Sequence, residues 1–484
     1  MTVEVIVEET QKPEVVASEQ EAKMGTEVDE KTMENAQNVE VSSEPKLVEK
    51  SSSYREESNY LSDLKENEWK ALSELKSKLE EAILGNTLLK SEGKKDKEKE
   101  KSSNEMSETE EKDEKPDEKP TKEEESEPQN EPKIEGIEDI SIWGVPLLPS
   151  KSSEGTDVVL LKFLRAREFK VNEAFEMLKR TIIWRAHSKI ETILEEDLGV
   201  DLANAAYMKG TDRENHPVCY NIFGVFRNDE LYQKTFGTEE KREQFLRWRF
   251  QFMEKGIRNL DFRPGGFTSI LQIYDLKNCP GPSKKEIRSA TYKAIGILQD
   301  NYPEMVARNV FINVPFWYYA FYSIISPFLT QRSKSKFVVA RPAKVTETLL
   351  KYIPMEEIPT QYGGFKREND FEFAAAVGEV SEIVLKPGSA ETIEIAAPEV
   401  GAAIIWDMAV LGWEVSYKEE FIPTDEGSYA IIIQKEKKMD TTQEPVRNSF
   451  SNNEPGRVVL TIVNHTKKKK QAFYRYKIQK TACM

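Results

Sequence analysis

Residues 160–171 read LLKFLRAREFKV, and this stretch decides how the folded part of the chain begins. Its apolar side chains recur at helical spacing, and Asp157 is placed to cap the helix that carries them. A second helix follows, with an apolar face formed by Ala174, Met177, Leu178, Ile182 and Trp184. The helical pattern continues to about residue 202, so residues 134–205 are predicted to form a helical lobe.

Short β-branched and aromatic runs replace the helical pattern downstream of this lobe. They lie at residues 218–223, 269–276, 310–314 and 337–339, and long helical stretches around 239–259 and 284–301 separate them. Strands that alternate with helices are typical of a largely parallel sheet covered on both faces. Residues 206–368 are therefore predicted to form an α/β domain.

The last part of the chain carries strand patterns without helical ones. Strand-like runs occupy residues 381–385, 391–395, 403–406, 413–417, 429–434, 458–463 and 472–478. Turn signals such as Pro387-Gly388 and Glu454-Pro455-Gly456 lie between these runs. This spacing predicts an antiparallel β-sandwich over residues 371–484.

The first 133 residues carry nearly all of the net charge. They hold 21 Lys+Arg against 38 Asp+Glu, whereas the whole chain has a net charge of −16. Their composition predicts disorder, with one exception near residues 60–84, where leucines recur at three- and four-residue steps. This amphipathic helix either packs on the folded body or forms a weak coiled coil, or it binds a membrane or partner.

Composition also excludes several classes of function. The nearly neutral folded region argues against nucleic acid as a partner. Three scattered cysteines and an acidic N-terminus without a signal sequence favour the cytoplasm. The apolar run at residues 314–330 is too short to span a bilayer and contains Pro315 and Pro327. We find no catalytic, metal-binding or cofactor motif, so we expect a protein that is not an enzyme and uses no cofactor.

Four stretches together resemble a known family. Residues 160–171 are similar to the N-terminal helix of the CRAL-TRIO, or Sec-fourteen-like, lipid-transfer family. The sequences DNYPE at 300–304, FINVPF at 311–316 and QYGG at 361–364 follow in the order that the family shows. The C-terminal sandwich resembles a GOLD domain at residues 413–417 and 467–470. With its acidic N-terminus, the whole chain resembles the plant patellin family.

The resemblance implies an apolar lipid pocket that is floored by the sheet and closed by a movable gate helix. The aromatic residues assigned to this gate are Phe316, Trp317, Tyr318, Phe321, Tyr322 and Phe328. An uncharged aromatic segment can exchange pocket for bilayer at little cost, because apolar burial replaces apolar burial. A plain buried core helix is the alternative interpretation.

The resemblance also places a phosphoinositide headgroup. The residues implied are Arg167, Glu304, Ser333 and Lys336, with Arg332 and Lys334 as support. An extended segment would put Arg332, Lys334 and Lys336 on one face, whereas a helical turn would pair Ser333 with Lys336, and both remain open. An ordinary solvated basic loop is the alternative.

Three residues depart from the family pattern. Met305 stands where the family often has an arginine. Ile270 and Gln272 stand where members that exchange phosphatidylcholine have small hydroxyl residues. We therefore expect phosphoinositides and other hydrophobic ligands, without a prediction that phosphatidylcholine is exchanged.

The implied function is lipid transfer at cytosolic membrane surfaces in membrane trafficking, including cell-plate formation in cytokinesis. The basic side chains expected to dock the sandwich on an anionic membrane are Lys467, Lys468, Lys469 and Lys470. The sandwich is also expected to bind trafficking proteins, and the plasma membrane or cell plate is the implied location. The alternative is a membrane-recruited scaffold that uses lipid only as an address.

Overall fold

The computed structural model describes residues 54–88, 140–151, 154–199, 202–281, 284–315, 331–373 and 379–480. The predictions of disorder at residues 1–53 and 91–133, and the gate residues from Phe316 to Phe328, lie outside these ranges. The described residues form a helical lobe, an α/β domain and a β-sandwich, as predicted from sequence. None of their helices has the length and apolar character needed to cross a membrane.

Three helices form the N-terminal lobe: α1 (Glu66–Leu84), α2 (Glu154–Ala166) and α3 (Val171–His187). A small hairpin of β1 (Ser141–Ile142) and β2 (Val145–Pro146) precedes α2. The leucine stripe of α1, which includes Leu75 and Leu79, is fully buried in one core with α2 and α3. Helix α1 therefore packs on the folded body and belongs to this lobe, upstream of the predicted boundary at residue 134. Asp157 lies in the first turn of α2 rather than before it.

The α/β domain follows in chain order. Its elements are β3 (Ala206–Thr211), β4 (Pro217–Ile222), α4 (Asp229–Phe236), α5 (Glu239–Ile257), β5 (Ile270–Asp275), α6 (Lys285–Asn301), β6 (Val306–Ile312), α7 (Gln331–Ser335), β7 (Phe337–Val339) and α8 (Val345–Leu350). The sheet order is β3-β4-β5-β6-β7, with β3 antiparallel and the other strands parallel. The predicted parallel core is confirmed.

Short 3-10 helices occur at several connections of the described chain. They span Leu61–Asp63, Pro149–Lys151, Ile190–Glu195, Phe223–Arg227, Pro342–Lys344 and Thr360–Tyr362.

The sandwich consists of two antiparallel sheets with four strands each. Its strands are β8 (Ser381–Leu385), β9 (Ala390–Ala397), β10 (Ala402–Val410), β11 (Val415–Pro423), β12 (Ile431–Met439), β13 (Val446–Ser451), β14 (Gly456–Val463) and β15 (Lys470–Lys480). The sheet orders are β13-β10-β15-β8 and β12-β11-β14-β9. The fully buried side chains of Trp406, Tyr417 and Phe421 lie in the core between them. The antiparallel sandwich predicted from the turn spacing is confirmed.

An ionic network fixes the sandwich to the segment that ends the α/β domain. Asp407 on β10 is fully buried and lies directly opposite Arg447 on β13 and Arg475 on β15. Its Oδ2 accepts hydrogen bonds from Arg447 Nη2 at 2.6 Å and Arg475 Nε at 2.7 Å. Arg475 also donates to the backbone oxygen of Phe365 and to Asp370. Removing one partner from a buried ion pair is strongly destabilising, so the network stabilises this junction.

Candidate anion-binding site

Glu304 is the centre of a charged cluster at the start of β6. It lies in the turn after α6, and its carboxylate faces α7. Arg332 Nε donates to Oε1 at 2.8 Å, and Lys336 Nζ donates to Oε2 at 2.7 Å. These two cations are four residues apart, so one helical turn places them side by side. Of the two conformations left open by the sequence, the structure has the helical one.

Helix α2 places two more cations next to this cluster. Lys162 Nζ donates to the backbone oxygen of Glu304 at 2.8 Å. Arg165 lies three residues further along the same helix face, and its side chain is almost fully buried. Arg308 on β6 points to the same region, where its guanidinium lies 5.9 Å from the Tyr54 ring. Five cationic side chains therefore lie around Glu304 and Tyr54, and two of them, Arg332 and Lys336, bond the Glu304 carboxylate.

The charges of this cluster shift one another's pKa values. Burial raises the pKa of the Glu304 carboxyl, but hydrogen bonding from Arg332 and the charge of Lys336 outweigh burial and bring it to about 2. Burial lowers the pKa of Lys162 to about 7, although the charges of Glu56 and Glu304 act in the opposite direction. The site thus holds a fixed anion, and one of its cations is close to losing its proton at neutral pH.

Residues 54–59, hereafter the N-terminal strap, lie across this basic cluster. Glu57 accepts hydrogen bonds from Arg332 Nη1 and Nη2, both at 2.7 Å, and its Oε2 lies 3.3 Å from Arg165 Nε. Glu56 Oε2 lies 2.9 Å from Nε2 of His216, which is buried. The prediction that residues 1–57 are disordered is therefore wrong for residues 54–57. Composition predicted no core for this segment, but cations that lie far away in sequence order it.

Cations also contact the uncharged groups of the strap. Arg165 donates to Asn59 Oδ1 and to the backbone oxygen of Ser58, each at 2.6 Å. Besides Arg308, two cations lie over the Tyr54 ring, with its centroid 5.7 Å from the Arg332 guanidinium and 4.9 Å from Lys336 Nζ. Such cation–π contacts are individually weak. Together with the ion pairs, they keep the strap close to α2 and α7.

The structure brings together Glu304, Arg332 and Lys336 but does not bring Arg167 to them. Arg167 Nη1 donates to the backbone oxygen of Ala166, and the side chain lines an open cleft between α2 and α3. Ser333 and Lys334 both lie on α7, and Lys334 is half-buried. The Ser333 side chain lies outside what the structure describes.

Sequence reasoning missed Lys162, Arg165 and His216 at this site. A detectable signal exists for the first two, which lie three residues apart among the apolar positions of α2. A lysine or arginine on the buried face of a helix requires an anionic or hydrogen-bonding partner. His216 carries no such signal, because its partner Glu56 is 160 residues away.

The residues that depart from the family pattern are buried. Met305 packs in the core of the N-terminal lobe, and Ile270 joins the same core from β5. Gln272, two residues after Ile270, accepts a hydrogen bond from Asn221 Nδ2 at 2.9 Å, and Arg249 donates to Asn221 Oδ1 at 2.9 Å. The sheet thus carries a polar network of amides and a guanidinium where the pattern has small hydroxyl residues.

The predicted membrane-docking lysines divide into two kinds. Lys467, Lys468 and Lys469 are exposed on the loop between β14 and β15. The side chain of Lys470 is only 9% exposed, and its Nζ donates to Glu414 Oε2 at 3.3 Å. The buried amide of Asn464 donates to the backbone oxygen of Lys468 at 2.8 Å and so shapes this loop. Three of these four lysines are therefore exposed to solvent.

The chain is similar to known protein families along most of its length. Family models match in three segments: the CRAL/TRIO N-terminal domain at residues 71–180, the CRAL/TRIO domain at 203–364, and the Patellin-1-like C-terminal GOLD domain at 386–470. The chain is 54% identical to Patellin-4 of Arabidopsis thaliana over an alignment that covers 99% of each chain. The chain belongs to the patellin family.

Two further relatives are similar to this chain at lower identity. Patellin-3 of Arabidopsis thaliana is 46% identical over 88% of this chain and 78% of its own. The phosphatidylinositol transfer protein SFH5 of Kluyveromyces lactis is 28% identical over 50% of this chain and 80% of its own. The CRAL/TRIO N-terminal model begins at residue 71, which agrees with the position of α1 inside the lobe. Membership of the family supports lipid binding and transfer as the class of function.

Proposed function

We propose that the protein is a non-enzymatic lipid carrier that binds phosphoinositides at cytosolic membrane surfaces. The convergence of Arg332 and Lys336 on the Glu304 carboxylate is the observation that carries this proposal. An arginine can fork onto a phosphate group and a lysine can add a point charge. Glu304, ionised at neutral pH, can accept hydrogen bonds from inositol hydroxyls. These are the groups that a phosphorylated inositol presents.

The proposal extends to membrane trafficking. SFH5, which matches half of this chain, is named as a phosphatidylinositol transfer protein. We propose that the Lys467, Lys468 and Lys469 loop holds the sandwich on an anionic leaflet, at the plasma membrane or the cell plate. Binding of trafficking proteins by the sandwich belongs to the same proposal. Imaging a fluorescent fusion through cytokinesis tests the location, and a purely diffuse signal would contradict it.

Lipid extraction tests the carrier function. The full chain is incubated with phosphatidylcholine vesicles that contain a phosphoinositide, the vesicles are removed, and mass spectrometry identifies lipid that stays with the soluble protein. We expect phosphoinositide at close to one molecule per chain, and much less with the Arg332→Met, Lys336→Met double variant. The Glu74→Gln, Glu81→Gln double variant, altered on the exposed side of α1, is expected to extract as wild type does.

A scaffold would give a different result in the same experiment. It would sediment with phosphoinositide vesicles and yet leave no lipid in the soluble fraction. That outcome would show that the protein uses lipid only as a membrane address and does not carry it.

A further inference from the structure

The strap contacts two groups of cations rather than one. Glu57 pairs with Arg332 and Arg165, beside the Glu304 cluster. Glu56 contacts a different group, because its carboxylate meets His216. Two anion positions therefore lie side by side beneath one short segment.

The second position is built from buried polar groups. His216 is 4% exposed and Lys162 is 2% exposed, and the charges of both act on Glu56. Asp212 Oδ2 lies 2.9 Å from the other ring nitrogen of His216 and fixes the orientation of the ring. Ser269 is a fully buried hydroxyl beside the same carboxylate, which it helps to keep ionised. Polar groups this deeply buried require an anion or another acceptor in the position that Glu56 fills.

The strap is poorly suited to be a permanent part of the core. Its described residues are mostly exposed or half-buried, and the side chain of Glu57 is 47% exposed. Its contacts are mainly ion pairs, cation–π contacts and hydrogen bonds, which solvent and salt weaken at exposed positions. A ligand with stronger anions can therefore take these positions without opening the hydrophobic core beneath them.

We propose that Lys162, His216 and Ser269 form a second anion subsite beside the Glu304 cluster, and that the strap is an internal ligand which a doubly phosphorylated lipid headgroup displaces. This inference rests on the proposed phosphoinositide function. In the strap-bound state Glu57 stands in for one phosphate and Glu56 for the other. A monophosphate headgroup fills the Arg332 position and gains nothing from the second subsite.

The apparent affinity for the headgroup equals the intrinsic affinity multiplied by the fraction of molecules in which the strap is open. Removing both carboxylate charges is therefore expected to tighten binding of phosphatidylinositol bisphosphate vesicles by about tenfold. The variant is Glu56→Gln, Glu57→Gln in the full chain. The matched control is Glu74→Gln, Glu81→Gln, which removes the same charge from exposed positions on α1.

The two single variants separate the subsites. Glu57→Gln is expected to tighten binding of both mono- and bisphosphate vesicles, because it frees Arg332. Glu56→Gln is expected to tighten binding of the bisphosphate more than that of the monophosphate. Equal gains for the two lipids with Glu56→Gln would overturn the second subsite. Soluble inositol phosphates are also tested in place of vesicles. The proposal predicts that they bind more weakly than the lipid in vesicles, and tighter binding would identify a free phosphate compound as the ligand.

Hydrogen exchange provides an independent measurement on the wild-type chain. Strap amides are expected to exchange faster when bisphosphate vesicles are added and to stay unchanged with phosphatidylcholine vesicles. Unchanged exchange, together with a double Gln variant that binds like the control, would overturn the internal-ligand proposal. Failure of the proposed function is distinguishable, since Arg332→Met, Lys336→Met would then leave vesicle binding intact.

Discussion

Lys336→Met tests the centre of the site. The Lys336 side chain is 9% exposed, and its Nζ donates to Glu304 Oε2 at 2.7 Å and to the backbone oxygen of Val306 at 2.9 Å. Methionine keeps the length of the side chain and removes the charge and both hydrogen bonds. The perturbation is therefore confined to the electrostatics of the site.

A hydrogen bond to a charged group contributes about 2 kcal/mol, and a headgroup phosphate held by Arg332 and Lys336, as proposed above, would lose one such bond and a nearby charge. At about 1.4 kcal/mol for each factor of ten, the dissociation constant for phosphoinositide vesicles should rise by roughly 30-fold. Glu304 keeps its bonds from Arg332, so the fold should persist with a loss of about 1–3 kcal/mol in the free energy of unfolding.

Vesicle sedimentation measures the affinity, and urea unfolding of the same preparation measures the stability. Lys334→Met is the matched control, because Lys334 is a half-buried lysine on α7, two residues before Lys336. The control should bind within about twofold of wild type, since a lysine outside the site contributes only weak, screened attraction. Equal losses in the two variants would show that binding follows net charge, and wild-type affinity in Lys336→Met would refute the site.

Three other perturbations follow from the structure. Arg165→Met should weaken phosphoinositide binding more than Arg167→Met, because only Arg165 reaches the Glu57 position, and the reverse order in vesicle sedimentation would restore the assignment made from sequence. Replacing Lys467, Lys468 and Lys469 with Gln should cost up to about 3 kcal/mol of binding to anionic vesicles and flatten its salt dependence, whereas unchanged binding would remove the loop from the membrane contact. Burial lowers the pKa of His216, but Asp212 and Glu56 raise it to about 9, so its contribution to stability is complete below pH 6.5 and disappears as pH rises through 9. The difference in unfolding free energy between wild type and His216→Gln should therefore shrink by roughly 3 kcal/mol across that range, and a constant difference would contradict the ionised histidine.

Patterns within a few residues determined the architecture of this protein. Helices α2, α3, α5 and α6 follow from apolar side chains at helical spacing, and the parallel strands follow from short apolar runs between them. Besides the small hairpin of β1 and β2, the strands that the sequence did not predict are β3 and β13, with sequences AYMKGT and VRNSFS. Both lie at sheet edges and are only partly buried, so no apolar run marks them.

The tertiary structure alone decided the composition of the site. The resemblance named Glu304, Arg332 and Lys336, which the structure brings together, but it named Arg167 where Arg165 contacts the strap. The two arginines differ by about half a helical turn in direction. Glu57 and Arg332 are 275 residues apart, and Glu56 and His216 are 160 apart. Secondary structure reflects neighbours within one or two turns, whereas an ion pair depends on where the folded core carries each charge. For this reason a segment with a disordered composition becomes ordered over a basic site that no local pattern predicts.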